Sequence, residues 1–272
     1  QDADTRIYLL GTVHLLPEGF RWRSARIDRI VSEADELVLE TTDDENVTED
    51  PRIARLLQSF AKRPGVSERL SPGNREKWLA LGEGLGIDAE AFDRLPPLLA
   101  LIGLGATASQ QETGAQRRYG VETVLTEDFE AAGKPIGSIE SATEVFLSLL
   151  ALDEAVLIKE LDRELTRIGD KDPLTLFGPA AKPSAGGRAL EHRWAQGLDV
   201  GLGSESFGPT TFGRAMDKAL LGSRNRAWAV WLERRLREPG TVLVAVGAGH
   251  LWGGTSVQAI LSQRGLVAER VD

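Results

Sequence analysis

The residues of this 272-residue chain best equipped for chemistry are two histidines that share one local pattern. Ile7-Tyr8-Leu9-Leu10-Gly11-Thr12-Val13-His14 and Val242-Leu243-Val244-Ala245-Val246-Gly247-Ala248-Gly249-His250 each run from strand-forming residues into Gly-x-x-His, which matches Gly11 with Gly247 and His14 with His250. The chain holds only three histidines, so two in one pattern are more than scatter usually gives. Neutral imidazole is the commonest metal ligand and a ready general base near neutral pH. Gly11, Gly247 and Gly249 let the chain turn sharply after a strand and leave room for a ligand to approach the backbone. One such histidine could equally well cap a strand end. The pair implies two strand ends that meet around a site.

Carboxylates stand at comparable places. Glu40 ends the run Leu37-Val38-Leu39, and Glu140 ends Ile136-Gly137-Ser138-Ile139. A carboxylate at the end of a buried strand is costly unless it is paired or metal-bound; the plainer alternatives are a helix cap or a salt bridge. With the histidines, the set offers two nitrogen and one or two oxygen ligands. That suits Zn2+, Mn2+, Co2+ or Fe2+, and a spare carboxylate, Glu140, could activate water. Arg224 and Asn225 follow Gly222-Ser223 at the start of a long helix. A helix N-terminus favours anions, and the guanidinium fork suits a carboxylate or a developing oxyanion. The plainer reading pairs Arg224 with Glu233 on a solvated face. Trp228 and Trp231 read as core-facing, and His192 as a surface or lid residue.

Several chemistries are excluded. The absence of cysteine removes disulfides, Cys-based zinc sites and thiol nucleophiles. His-Glu-x-x-His and Gly-x-Ser-x-Gly are both missing, and neither Gly103-Leu104-Gly105 nor Gly247-Ala248-Gly249 extends to a dinucleotide fingerprint. A net charge of −9 with dispersed basic residues argues against nucleic acid as a main partner. No apolar run approaches the ~20 residues of a membrane span. The chain begins at Gln1, as expected of a product trimmed after a signal peptide.

The elements that must position these residues follow from periodicity. Strand, helix (about 22–34, with Ile27, Ile30, Val31 and Ala34 on one face) and strand (36–40) form a β-α-β unit, whose C-terminal strand ends share one edge. In open α/β sheets that edge binds ligands. Helices are expected at 52–60, 74–85, 98–111, 119–132, 142–150 and 155–168, with a short third strand at 135–140. Residues 169–206 are irregular apart from a helix near 188–196, and read as a lid or insertion. Helices at 212–221 and 223–237, a strand at 241–246, a helix at 256–264 and a last strand at 266–271 complete the chain. The fold class is α/β: a mixed, mainly parallel sheet flanked by helices, with a largely helical insertion (about 50–220) inside a single domain over 1–272.

The motifs together resemble a family. Ile7–His14 with Leu15-Leu16-Pro17, Leu37–Glu40, Gly120-Val121-Glu122, Gly133-Lys134-Pro135 leading to Glu140, Arg224-Asn225-Arg226 and Val246–Leu251 follow the order and spacing of the TraB/GumN (TraB/PrgY) family, which includes the TIKI proteins. The resemblance runs to Val267–Val271. It departs at Glu122, where many members have Asp, and over about 170–206; an apolar strand common before the first strand has no counterpart beyond Gln1–Thr5. It implies a divalent-metal-dependent protease with His14, His250 and Glu40 as its essential residues, Arg224 and Asn225 at the same site, and peptide or protein as substrate. Bacterial members are often exported, which implies a periplasmic or extracellular location. Two other readings stay open. One is a metal-free esterase-type hydrolase, as in the related erythromycin esterase/ChaN-like group; the other is a non-catalytic binder of haem, iron or peptide.

Overall fold

In the computed structural model of the chain, residues 4–42, 46–84, 86, 88–170, 187–198, 214 and 217–271 are described. Most of the stretch read as a lid lies outside them. The chain divides into two compact units: Gln1–Glu45, Ala115–Ala142 and Arg188–Asp272 in one, Asn46–Gly114 and Thr143–Gly187 in the other.

The first unit is built on a four-stranded sheet in the order β1-β4-β2-β3, with β1 Thr5–Thr12, β2 Glu36–Leu39, β3 Ile136–Ser138 and β4 Gly240–Gly247. Every pairing among these strands is parallel. Residues 242–246 of β4 are all at most 1% exposed, the continuous apolar run expected of a central parallel strand covered on both faces. β1 and β3 form the edges, and in β1 only Thr12 is fully buried. One face packs Leu37, Leu39, Leu243 and Ala245 against α1 (Ala25–Glu33) and α7 (Val121–Ala131); the other packs Val38, Val242, Val244 and Val246 against Trp228, Ala229, Leu232, Val257 and Leu261. α1 starts where Ser24 accepts a hydrogen bond from the Ile27 N–H.

The second unit is helical: α2 (Pro51–Ala61), α3 (Val66–Arg69), α4 (Pro72–Gly84), α5 (Ala89–Asp93), α6 (Pro97–Thr113), α8 (Ala142–Leu150) and α9 (Glu154–Ile168). Trp78 stacks on Phe92 at 4.5 Å within its core, and the indole donates to Asp93. Buried Asn74 ties α4 to α9 by donating to Asp162 and Thr166.

Two expectations change. Residues 266–271 form no strand: 267–271 are all exposed, and the segment is held by Arg270 donating to the Gly197 carbonyl. The helix expected at 212–221 is described only in part, and over Lys218–Gly222 it is a π-helix running straight into α11 (Ser223–Arg235). α10 (Gly187–Ala195) falls where the sequence placed it, and α12 (Val257–Gln263) precedes the last segment. No helix among the described residues is long and apolar enough to cross a membrane.

Candidate functional site

All four strands end on one edge, and each hands over one residue singled out in the sequence. Across β1-β4-β2-β3 the order is His14, His250, Glu40, Glu140. Neighbouring strands stand ~4.8 Å apart, so His250 and Glu40 are adjacent and Glu140 is the farthest from His14. The β2–β3 ladder continues past the strands, with the Glu140 N–H donating to the Glu40 carbonyl at 3.1 Å.

His250 lies in a short 3-10 turn after β4, and its side chain is 5% exposed. Its Nδ1 is 2.5 Å from Asn225 Oδ1, while the Asn225 amide nitrogen donates to the Thr255 carbonyl. The amide is thereby oriented with its oxygen toward the ring, so Nδ1 carries the proton and Nε2 keeps a lone pair. Nε2 faces Glu40 Oε1 at 3.6 Å. Burial pushes the His250 pKa down to about 4, against the raising effect of Glu40. Near neutral pH the ring is uncharged. Trp228 covers its other side, ring centroids 4.1 Å apart.

His14 is different. Its side chain is 65% exposed, and Nδ1 bonds to Glu122 Oε1 at 2.8 Å. The Glu122 hydrogen bond raises the His14 pKa over the lowering effect of partial burial. Burial would raise Glu122, but His14 and Thr12, whose hydroxyl donates to the same carboxylate, hold it low. Gly120, Val121 and Glu122 grip the strand exit together. The Val121 N–H donates to the Val13 carbonyl, and a Cβ at Gly120 would run into the His14 carbonyl.

Glu40, 15% exposed, accepts the Gly247 N–H at 2.6 Å on Oε1 and Arg224 at 2.5 Å on Oε2. Burial works to raise its pKa, and Arg224 and the Gly247 N–H work against it, so its pKa lies below the usual value and it stays ionised. Arg224 also donates to both oxygens of Glu140, whose Oε2 accepts the Trp228 indole N–H at 2.9 Å. Burial raises the Glu140 pKa despite these donors. Glu233 pairs with Arg264 instead of Arg224. Nor does Arg224 sit at a free helix N-terminus: the Ser223 N–H bonds back to Lys218 across the π-helix, so the helix continues through it.

A Cβ built on Gly247 would stand 3.0 Å from Glu40 Oε1, 3.7 Å from His250 Cδ2 and 3.9 Å from His14 Nε2. The three groups therefore face one small space that glycine keeps clear. Among the described residues no group of three or more His, Asp and Glu side chains closes into a ready metal cage. The donor chemistry still fits a divalent ion: two imidazoles held by Nδ1 with Nε2 presented, and one ionised carboxylate.

Compared with known families, residues 1–270 match the model of the TraB/PrgY/gumN family. The chain belongs to that family. It is 25% identical over 263 residues to the protein YbaP of Escherichia coli (strain K12), covering 95% of this chain and 89% of YbaP. Its likeness to YbaP of Shigella flexneri is also 25%, over 258 residues, with 93% and 87% covered. Both relatives are named as uncharacterised. No solved structure matches.

In this TraB/PrgY/gumN chain the sequence named His14, Glu40, Glu140, Arg224, Asn225 and His250 as site residues, and the structure gathers all six at one sheet edge. It adds Glu122, Gly120, Trp228 and Trp194, whose indole donates to the Gly11 carbonyl at 2.9 Å. Gly120 and Glu122 were visible in the sequence only as part of the family motif Gly120-Val121-Glu122, without a role at the site. His192 is exposed and meets Phe20 edge-on, outside these contacts.

Proposed function

We propose that the chain is a divalent-metal-dependent hydrolase of peptide bonds, with His14, His250 and Glu40 as the ligands. One observation carries this reading. Buried His250 and half-buried Glu40 face each other, Nε2 to Oε1 at 3.6 Å, and share no proton, because His250 spends its proton on Asn225. A lone pair facing a carboxylate is unfavourable unless a cation joins them. The charge balance supports the same reading, since Glu40 and Glu140 share the guanidinium of Arg224. A bound divalent ion would polarise a substrate carbonyl and lower the pKa of water. The residues of the chain supply the rest: Asn225 and Glu122 orient the two rings through Nδ1, and Gly247 keeps the space open. The peptide substrate rests on the family resemblance, as does an exported, periplasmic or extracellular location.

The test is metal analysis of untagged protein, then chelation and add-back of Mn2+, Co2+, Zn2+ or Fe2+ on a peptide library. Hydrolysis should vanish on chelation and return with one of the ions. Protein that carries no metal, and in which His14→Ala equals the wild type, would sink the proposal. A second reading, metal-free hydrolysis with His14 as base, is favoured by one observation: an exposed imidazole backed by the Glu122 carboxylate at 2.8 Å. Chelator-insensitive turnover would select it.

A further inference from the structure

We infer that Arg224 is a positioning residue that fixes the orientation of Glu40, and that Glu140 is its anchor and does not touch the substrate. The inference deepens the metal-dependent reading and rests on it for the site's activity, but not for the contacts that carry it.

The donors of Arg224 are nearly used up. Of five guanidinium N–H groups, Nε–H goes to Glu140, Nη2 serves Glu140 and Glu40, and Nη1 donates to the Leu220 carbonyl at 3.0 Å. One N–H on Nη1 is left, on a side chain only 14% exposed and lying over the Trp228 ring at 5.0 Å. An oxyanion stabiliser needs free donors aimed at the reacting atom. The other four donors of this fork are instead spread between two carboxylates and a main-chain carbonyl. Its effect falls on Glu40. With Oε2 held by Arg224, Oε1 is turned to the Gly247 N–H and to His250. Glu140 faces the other way. Its Oε1 takes Nε and Nη2, its Oε2 takes Nε and the Trp228 indole, and its strand lies beyond β2, away from both histidines. A general base needs a free oxygen toward the substrate, and Glu140 turns both of its oxygens to α11.

A double-mutant cycle on the full chain tests this, using Glu140→Gln and Arg224→Lys. Gln keeps an acceptor for the Trp228 indole, and Lys keeps the charge while losing the fork. Arg224→Lys should lower kcat about tenfold to hundredfold, the range for charge-assisted hydrogen bonds, with KM little changed. Glu140→Gln should cost less, and the double variant should match Arg224→Lys within about twofold. Additive losses, or a Glu140→Gln variant as dead as the double, would show that Glu140 acts directly and overturn the inference.

The imidazole 15N spectrum repeats the cycle without metal or substrate, since three histidines keep it readable. Arg224→Lys should move the His250 resonances, and adding Glu140→Gln should move them no further. Wild-type His250 resonances in Arg224→Lys would also overturn the inference. If the wild type neither hydrolyses peptides nor binds Mn2+ in calorimetry, the hydrolase reading fails while the spectrum still decides the role of Arg224. Should Arg224→Lys not fold, Arg224→Gln takes its place in the same cycle.

Discussion

The two Gly-x-x-His ends are alike in letters and unlike in surroundings. β4 is a central strand, so His250 emerges into a buried space, 5% exposed, under Trp228. β1 is an edge strand, and His14 emerges 65% exposed. Both rings are held through Nδ1, but His250 is held by a neutral amide and His14 by a carboxylate. Asn225 cannot balance an imidazolium, so burial keeps His250 neutral with a pKa of about 4. Glu122 can balance one, and the His14 pKa is raised. The spacing sets how far each ring stands from its strand; the strand's place in the sheet sets what charge the ring can carry. In a metal-bound state the buried end would be the standing ligand, and the exposed end the one that must first release a proton.

The largest break in this pairing should come from Gly120→Ala. The added Cβ runs into the His14 carbonyl, a backbone atom that cannot step aside as a flexible side chain would. We expect a loss of about 3 kcal/mol or more, at or beyond the upper end of overpacking costs, read by urea denaturation. At the other end, a Cβ on Gly247 meets mainly the Glu40 carboxylate at 3.0 Å, so Gly247→Ala should cost less stability and more function. Equal stability losses would contradict the contrast.

The next effect is the pH dependence of stability. His250 has a pKa of about 4 when folded, against an ordinary 6.5. Between these values the unfolded chain binds the extra proton, so this group makes stability rise with pH from about 4 to 6.5 and then level off. The full swing is about 3 kcal/mol. His14 has the opposite sign: its pKa is raised, so its contribution is present below the unfolded pKa and is lost as pH rises through the folded one. Denaturation midpoints from pH 4 to 8 check the first, and the imidazole titration of each ring checks both. A His250 that titrates near 6.5 would contradict the burial argument.

How much of this could be read in the letters depends on how local each signal is. The strands that carry His14, Glu40 and His250 follow from short apolar runs, and their parallel edge follows from the β-α-β start. The strand-end residues His14, Glu40, Glu140 and His250 were therefore legible, while Arg224 and Asn225 were placed at the site by the family resemblance. Their mutual roles were not legible, because these depend on side chains far apart in sequence. Glu122 reaches Thr12 across 110 positions, and Trp228 reaches Glu140 across 88. Asn225 read only as a neighbour of Arg224 at the site, and it is 1% exposed and spent on His250. Arg224 read as the opening of a helix because Gly222-Ser223 looked like a break, whereas a π-helix over Lys218–Gly222 carries the chain through it. The closing segment 266–271 starts with the apolar run Leu266-Val267-Ala268 but finds no ladder, since a short apolar run does not supply a neighbour.

Asn225→Ala should come third. It leaves the buried Nδ1–H of His250 and the Thr255 carbonyl without their partner, which costs roughly 1–3 kcal/mol. Asn225→Asp sharpens the comparison more than it breaks it, because it gives His250 a carboxylate like the one behind His14. Its His250 resonance should then titrate well above the wild-type value of about 4. A titration left in place would mean that burial alone, and not the partner's charge, separates the two ends.

Glu122→Gln is the mirror experiment and should have the smallest effect on stability. The His14–Glu122 pair has one strongly exposed member, and exposed ion pairs contribute about 1 kcal/mol or less. Gln still accepts from His14 Nδ1, so the ring should keep its orientation while losing its charge partner. The His14 pKa should fall back toward 6.5, since the Glu122 hydrogen bond is the largest cause of its rise. The two readings of function then part company. If the site holds a metal, easier proton loss from His14 should leave ion binding at neutral pH equal or tighter. If His14 works alone as a base backed by Glu122, turnover should drop and its pH profile should shift to lower pH, with chelators making no difference.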